Sequence, residues 1–392
     1  MSHKKVLFIQ PFSVGAVGGG PQILKSVVKD APCEVTSICT AFCERLPEQS
    51  LCPEYLVPLR PRLGRLDRTR FAHLGGYMEA AFVPFFTRRL SRQVHSLSPD
   101  AVHLVPHSWG DFVVAHRLAV KMGVPVHVSV HDDLGYTAAR HPMKKRMMRE
   151  LGALWRGAAT RFVICEEMGQ EYNQRYGFRP YLIHTDGVSE AAATAYLPPA
   201  KDIRVYFMGM MNQPYVANVR VLEQALEIVR STGRFNPSLT LRTQGLASGH
   251  PLTTILPFAS KEVVEREMAD QHLLYLPLPF GKEFRALGQL GFSTKMISYL
   301  ASGMPIMYHG PDYTAAGRYL ERNEGALCIH TNDAAAMAEQ LLQVLSEPME
   351  LARLASRGVT LANRDFNSHA LKQRFWGAVL SDELLTRSSS SQ

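Results

Sequence analysis

Three groups of residues are spaced for chemistry on an anionic, hydroxyl-rich ligand. The first is Ser293-Thr294-Lys295, which opens a stretch running to Pro305. Ser293 or Thr294 can cap a helix start, and Gly303 followed by Pro305 reads as its stop. Ile297, Leu300, Ala301 and Met304 recur at helical spacing on one face, with Lys295, Ser298 and Ser302 on the other. A helix start carries unpaired N–H groups and the positive end of the dipole. Lys295, one residue inside, adds a full charge, so the segment suits a diphosphate. An ordinary packed helix with a good cap has the same local pattern.

The second group is a pair of histidines that end apolar runs. His107 follows Ala101–Pro106, and His131 follows Val124–Val130 and precedes Asp132-Asp133. In open α/β sheets ligands collect beyond the carboxyl ends of strands, so both imidazoles are expected to point into a binding crevice. A neutral imidazole there can hydrogen-bond a hydroxyl as charge develops, with Asp132 beside it. The third group is Gly18-Gly19-Gly20, between the apolar run Val6–Ile9 and a helix that Pro21 opens. Strand, Gly-rich loop and helix let backbone amides approach a phosphate or sugar closely. The spacing is neither Gly-x-Gly-x-x-Gly nor Gly-Lys-Ser/Thr, so dinucleotide and P-loop readings are weak.

Positioning these groups requires alternating strands and helices, and the chain supplies two such series. In the first, apolar runs at Val6–Ile9, Glu34–Ile38, Ala101–Val105, Val124–Val130 and Arg161–Cys165 are separated by helical patterns. The second starts at Arg204–Gly209 and continues through Leu239–Thr243, Leu273–Leu276, Ile306–Tyr308 and Gly325–His330. Asn218 reads as the cap of a helix running to Ser231, with Arg220 in its first turn. Between the series, residues 190–201 have linker composition, which puts a boundary near residue 197. A chain of 392 residues is too long for one ordinary core, so two α/β domains are expected: 1–197 and 198–365. Residues 366–392 add a terminal helix with Phe375 and Trp376, then a polar tail.

Composition narrows the partners. A formal net charge of +8 favours nucleotide phosphates or an anionic membrane face. Nucleic acid is disfavoured, because no helix-turn-helix, RNA-binding or zinc-finger signature accompanies the charge. Arg60, Arg62, Arg65, Arg68, Arg70, Arg88, Arg89 and Arg92 surround Phe82–Phe86, and Pro142–Arg156 reads as a basic amphipathic helix. Either segment can serve a membrane surface or an acidic acceptor, and a solvated surface helix has the same pattern. No apolar run reaches the roughly 18–20 residues that span a bilayer. The run after Lys4-Lys5 breaks at Gln10-Pro11, so it reads as a buried strand and not a leader, and a cytoplasmic protein is expected, in peripheral contact with the inner membrane face. Cys33, Cys39, Cys43 and Cys52 cluster without a Cys-x-x-Cys pair, so reduced thiols are favoured over zinc or disulfides.

The pattern Ser-Thr-Lys-x-x-x-Tyr-Leu-Ala-x-Gly-x-Pro at 293–305 resembles the donor-binding segment of GT-B glycosyltransferases, particularly those like family four. Strand–His107, helix, Gly-x-Pro, strand–His131-Asp132 is a second resemblance, and the likeness runs from about Val6 to Trp376. It implies two Rossmann-like domains facing a cleft, with a terminal helix crossing back to the first domain. It implies transfer of a sugar from a nucleotide-sugar donor to a glycan or lipid-linked acceptor, in polysaccharide or glycoconjugate biosynthesis. By the resemblance, Gly209, Arg220, Glu283, Ser293, Thr294, Lys295 and Ser298 hold the donor. Gly18, Gly19, Gly20 and His107 line the cleft, and His131 with Asp132 serves catalysis by the transferred sugar. No Asp-x-Asp pair occurs, so no metal or other cofactor is expected at the diphosphate. One departure stands out. Many family-four enzymes, which retain anomeric configuration, carry two glutamates eight positions apart, where this chain has Leu290 and Ser298. A GT-B-shaped binding or scaffold protein without transferase activity is therefore the alternative.

Overall fold

The computed structural model describes residues 4–16, 18–40, 46, 50–58, 72–107, 109–137, 141–191, 196–211, 213–244 and 249–381. These fall into two compact units. The chain passes from the first to the second at Asp186/Gly187 and returns at Ser368/His369. Residues 187–191, expected with the first domain, thus belong to the second unit.

The first unit runs β1 (Lys5–Gln10), α1 (Gly19–Val28), β2 (Glu34–Cys39), β3 (Glu54–Leu56), α2 (Ala72–Leu97) and β4 (Ala101–Leu104). A π-helical turn at Trp109–Val114 leads into α3 (Ala115–Met122), then β5 (Val126–Val130), α4 (Leu134–Thr137), α5 (Lys144–Gly157), β6 (Thr160–Val163), α6 (Glu166–Tyr176) and β7 (Leu182–Ile183). The sheet is parallel in the order β3-β2-β1-β4-β5-β6-β7. Its central strands are buried along their whole length, which is why they read as unbroken apolar runs rather than alternating ones. Gly123, at φ +70°, ends α3 in the left-handed conformation that only glycine takes without strain.

The second unit repeats the plan with β8 (Asp202–Met208), α7 (Val216–Ser231), β9 (Asn236–Arg242), β10 (Thr253–Leu256), α8 (Lys261–Ala269), β11 (Leu273–Pro277), α9 (Arg285–Leu290) and α10 (Thr294–Ala301). β12 (Ile306–His309), α11 (Ala315–Arg322), β13 (Leu327–Ile329), α12 (Ala334–Leu345) and α13 (Pro348–Asp365) complete it. Its parallel sheet has the order β10-β9-β8-β11-β12-β13. Each sheet therefore reverses strand order beside its first strand, the topology of a Rossmann-like domain with a crevice at the switch point.

The last helix, α14 (Ser368–Leu380), packs within the first unit. Trp376 Nε1 donates to the Val27 carbonyl at 2.9 Å, and Phe375 is 1% exposed between Phe8, Phe162, His103 and His184.

Three local readings change. β3 and β10 are short edge strands absent from the expected series. The loop feeding α10 contains a 3-10 turn at Lys282–Phe284 followed by α9. α7 begins at Val216, so Asn218 lies inside the helix rather than capping it, and Arg220 falls in the second turn rather than the first. Arg60, Arg62, Arg65, Arg68, Arg70 and Cys43 lie outside the described residues.

Candidate functional site

In the second unit the site forms beyond β8, at the switch point. Gly209 ends that strand at φ +118°, and its N–H donates to the Arg242 carbonyl at 3.0 Å. α10 starts beside it. The positive φ favours glycine here, and a Cβ on Gly209 would stand 3.0 Å from Lys295 Cδ and 3.2 Å from Nζ, so any side chain would also displace the lysine. Lys295 Nζ lies over the rings of Phe207, at 4.6 Å, and Tyr215, at 5.6 Å, which hold the cation against aromatic faces. Burial lowers its pKa to about 8. An ammonium that is poorly hydrated gains more from an incoming anion than one already in water.

Ser293 occupies the N-cap position in extended conformation, yet its hydroxyl makes no cap hydrogen bond. The first-turn amides of α10 are thus not closed by that side chain. Thr294 and Ser298 are half-buried on the same helix. Opposite them Met296, Ile297, Tyr299 and Leu300 are fully buried, so the polar stripe is fixed by the packing of the apolar one.

Tyr299 does more than pack. Its hydroxyl accepts the Met208 N–H at 3.0 Å, joining α10 to the end of β8 and so setting the Gly209–Lys295 approach. Asn218, 1% exposed, donates from Nδ2 to the carbonyls of Leu278, at 2.9 Å, and His309, at 3.2 Å. It ties α7 to the ends of β11 and β12. His309 is itself held by the Tyr275 hydroxyl at 2.8 Å and the Thr331 carbonyl at 2.9 Å, and burial lowers its pKa to about 4. None of these three was expected to act on the site. Tyr299 lies inside the 293–305 pattern, but its long-range partner has no sequence signal.

Arg220, in the second turn of α7, and Glu283, in the 3-10 turn before α9, are both exposed. Leu290 is buried at the end of α9.

In the first unit the candidate residues meet where α1 begins. Gly18 precedes α1 at φ +142°, and Gly18 and Gly19 are exposed. A Cβ on Gly20 would lie 2.9 Å from the Phe12 ring and 3.4 Å from His131 Nδ1, so the backbone of α1 lies directly against that imidazole. Phe12 and His131 stack with centroids 6.4 Å apart. His131 is 7% exposed, and neither ring nitrogen has a hydrogen-bond partner among the described residues. Burial lowers its pKa to about 4, against the opposing pull of Asp132, so the ring is neutral at pH 7.

His107 Nε2 and Asp132 Oδ2 are 3.1 Å apart, and this hydrogen bond holds the Asp132 carboxyl below its usual range. The neighbouring carboxylate is engaged elsewhere, since Asp133 is buried and accepts from Arg175 Nη1 at 2.7 Å. Glu54, unremarked in the sequence, receives the Ser13 hydroxyl at 2.6 Å, the Val14 N–H at 3.0 Å and the Ser37 hydroxyl at 2.9 Å. It braces the loop between β1 and α1. His184 at the end of β7 is a third strand-end histidine; it is buried, neither nitrogen has a hydrogen-bond partner among the described residues, and its pKa falls to about 3 by burial.

A switch-point crevice in each of two parallel sheets defines the class: the chain has the GT-B fold. Residues 29–185 match the glycosyl transferase 4-like domain. HepE of Anabaena in complex with UDP superimposes with a TM-score of 0.67 at 14% identity, covering 98% of this chain and 100% of that one. Sucrose-phosphate synthase of Thermosynechococcus elongatus gives 0.68 at 14%, over 100% of both chains. An α,α-trehalose-phosphate synthase (UDP-forming) of Burkholderia vietnamiensis gives 0.66 at 12%, over 98% and 100%. No curated protein matches the chain significantly in sequence. Among the described residues no helix is long and apolar enough to cross a membrane.

Proposed function

We propose that this protein transfers a sugar from a nucleotide diphosphate donor to a hydroxyl of a glycan or lipid-linked acceptor. The bond from the sugar's anomeric carbon to the diphosphate breaks, a bond to the acceptor oxygen forms, the acceptor proton is released, and the nucleoside diphosphate leaves. Negative charge builds on that leaving group, so a preorganised cationic site lowers the barrier. One observation carries the reading: Lys295 Nζ, desolvated by two aromatic rings, stands beside Gly209 at the start of α10. A side-chain-free backbone, helix-start amides and a lysine are together suited to a diphosphate.

In this reading neutral His131 hydrogen-bonds a hydroxyl of the transferred sugar or the acceptor, with His107 and Asp132 beside it. The exposed backbone of Gly18 and Gly19 is available to the same ligand. Uridine diphosphate sugars are the first donors to test, since the structures similar to this chain include one with UDP, one with UDP-glucose and a UDP-forming synthase. Lys295 and the α10 amides take the leaving-group charge, so divalent metal is not required.

The test is a thermal-shift and calorimetric screen of nucleotide sugars against the wild type and Lys295→Ala. Binding to the folded form raises the melting temperature. A uridine or other nucleotide sugar should stabilise the wild type and not the variant, and turnover should persist in EDTA. Equal binding by the variant, or turnover that depends wholly on added Mg²⁺ or Mn²⁺, would refute the mechanism.

A further inference from the structure

One face of the first unit has no role in the reading above. On α2, Phe86, Leu90 and Val94 are buried, as expected for a helix packed by one stripe. The opposite stripe is not polar throughout. Leu74, Tyr77 and Phe85 are 43%, 58% and 62% exposed there, with exposed Arg88 and Arg92 continuing the same side; Phe82, one turn before buried Phe86 and 44% exposed, and Arg89 lie at the flank of that side. Scattered exposed apolar residues are ordinary, but several large ones on a single helix side, followed by three arginines, are not.

Beside this stripe lies a cavity of about 440 Å³ between α2, α3 and the start of α5. Val83, Pro84, Val113, Val114, Leu118 and Met143 give it apolar walls, and Arg117, Lys121 and Arg146 are the cations that line it. Glu150 receives a hydrogen bond from Arg117 and fixes its guanidinium there. α5 adds exposed Lys145 and Arg149, and α3 adds Val120 at 62% exposure. An apolar cavity of this size lined by cations, beside exposed aromatic side chains on α2, matches an amphiphile with an anionic head. A folded protein partner would more readily be met by a polar rim around a buried apolar centre, whereas here the charges and the aromatics share one exposed side.

We propose that this face docks on an anionic phospholipid bilayer. Tyr77, Phe82 and Phe85 enter the headgroup boundary, and Arg88, Arg89 and Arg92 meet lipid phosphates. The cavity receives one acyl chain, with Arg117, Lys121 and Arg146 at its headgroup. The site lies wholly in the first unit and does not depend on the donor reading.

Flotation with vesicles tests it. The wild type should float with vesicles of equal parts phosphatidylcholine and phosphatidylglycerol and not with phosphatidylcholine alone, and raised salt should weaken the binding. Replacing Arg88, Arg89 and Arg92 together by Gln should reduce partitioning about 100-fold. Phe82→Ser with Phe85→Ser should reduce it about tenfold or more. Phe85→Trp should retain binding and show emission quenched by brominated acyl chains.

A short-chain phosphatidylglycerol below its micelle concentration should raise the melting temperature of the wild type. Thr87→Trp, which fills the cavity from an exposed helix position, should abolish that shift. All substituted residues but Phe82 and Phe85 are polar and all are exposed, so melting temperature without lipid checks that each variant is folded. No flotation with anionic vesicles, equal flotation of the arginine variant, or unimpaired flotation of the Phe82/Phe85 variant would each overturn the proposal; the last would mark the face as a general polyanion site. Nucleotide-sugar binding is measured on the same samples, so failure of the donor reading shows separately, as loss of that binding in the wild type.

Discussion

The two units share a strand order but differ in how their strand ends treat buried polar groups. In the second unit the network at the ends of β11 and β12 is closed, and only beyond β13 does a buried histidine nitrogen, His330 Nε2, have no hydrogen-bond partner among the described residues. Asn218 meets two carbonyls, His309 uses both nitrogens, and the Tyr308 hydroxyl contacts Thr314 Oγ1 at 2.5 Å and the Pro311 carbonyl at 2.8 Å. In the first unit the ring nitrogens of His131, after β5, and His184, after β7, have no partner among the described residues; within the strands, His127 likewise has none and His103 uses only Nε2, on Ser129 at 2.8 Å. Buried polar atoms are nearly always paired, and exceptions concentrate where a ligand or a reaction supplies the missing partner. The comparison separates two functions that one topology can serve. Under the proposed function, the closed network frames the lysine that meets the diphosphate, and the open one leaves neutral imidazoles for sugar or acceptor hydroxyls.

The largest effect should come from the open side. His131→Ala is expected to cut turnover about 100-fold or more while nucleotide affinity stays near the wild-type value, as for an interaction made mainly in the transition state. If the residue only packs, melting temperature falls and turnover of the folded fraction does not. Near-normal turnover in a well-folded variant removes His131 from the mechanism.

On the closed side the expected loss is one of binding. Lys295→Ala should weaken nucleotide-sugar affinity by about 1.5–3 kcal/mol, the range of a hydrogen bond to a charged group. The folded pKa near 8 gives a second signature. The protonated amine is the binding form, so affinity should be level below pH 8 and fall up to about tenfold per pH unit above it. Calorimetry across pH 6–10 checks this, and a flat profile would separate Lys295 from the donor.

Stability against pH sharpens the contrast. His131 and His127 titrate near 4 in the folded state and His184 near 3, all lowered first by burial, against about 6.5 when unfolded. Between those values the unfolded chain binds more protons, so stability must fall as pH drops from about 6.5 toward 4. Each such histidine contributes up to about 1.4 kcal/mol per pH unit in that window. His184→Phe should flatten the low-pH decline in denaturant melts and leave stability at pH 8 little changed.

The smallest effect tests the frame itself. Tyr299→Phe removes the acceptor of the Met208 N–H and should cost about 1–3 kcal/mol of unfolding free energy. It should also weaken nucleotide-sugar binding, because the Gly209–Lys295 approach loses its tether. Loss of stability with unchanged affinity would confine Tyr299 to packing.

Much of the fold was legible because a parallel strand buried on both faces is a continuous apolar run, and ten such runs stood between helical patterns. β3 was not legible, since Glu54-Tyr55-Leu56 is an edge strand with no apolar run, and β10 failed for the same reason. Asn218 misled because apolar periodicity begins at Val219, whereas a 3-10 turn at Gln213–Tyr215 starts the helix earlier. Of the candidate site, Lys295 could be read from local chemistry and Gly209 from the family resemblance. Their mutual contact could not, because it is fixed by Tyr299 reaching Met208 across 91 residues. Glu54, which braces the β1–α1 loop, gives no signal until β3 is known to lie beside β2.

The return of α14 to the first unit has a consequence for the order of synthesis. The core around Phe8, His103 and Phe162 is incomplete until Phe375 and Trp376 arrive, although its strands leave the ribosome first. The second unit, by contrast, is continuous, and its two ends pair: the Val188 N–H donates to the Phe366 carbonyl at 2.8 Å, and the Ser368 N–H to the Val188 carbonyl at 2.9 Å. Domains ordinarily fold in the order they emerge. Here the later segment can reach its native state while the earlier one waits with apolar strands uncovered, which makes the nascent first unit the client on which a chaperone would act.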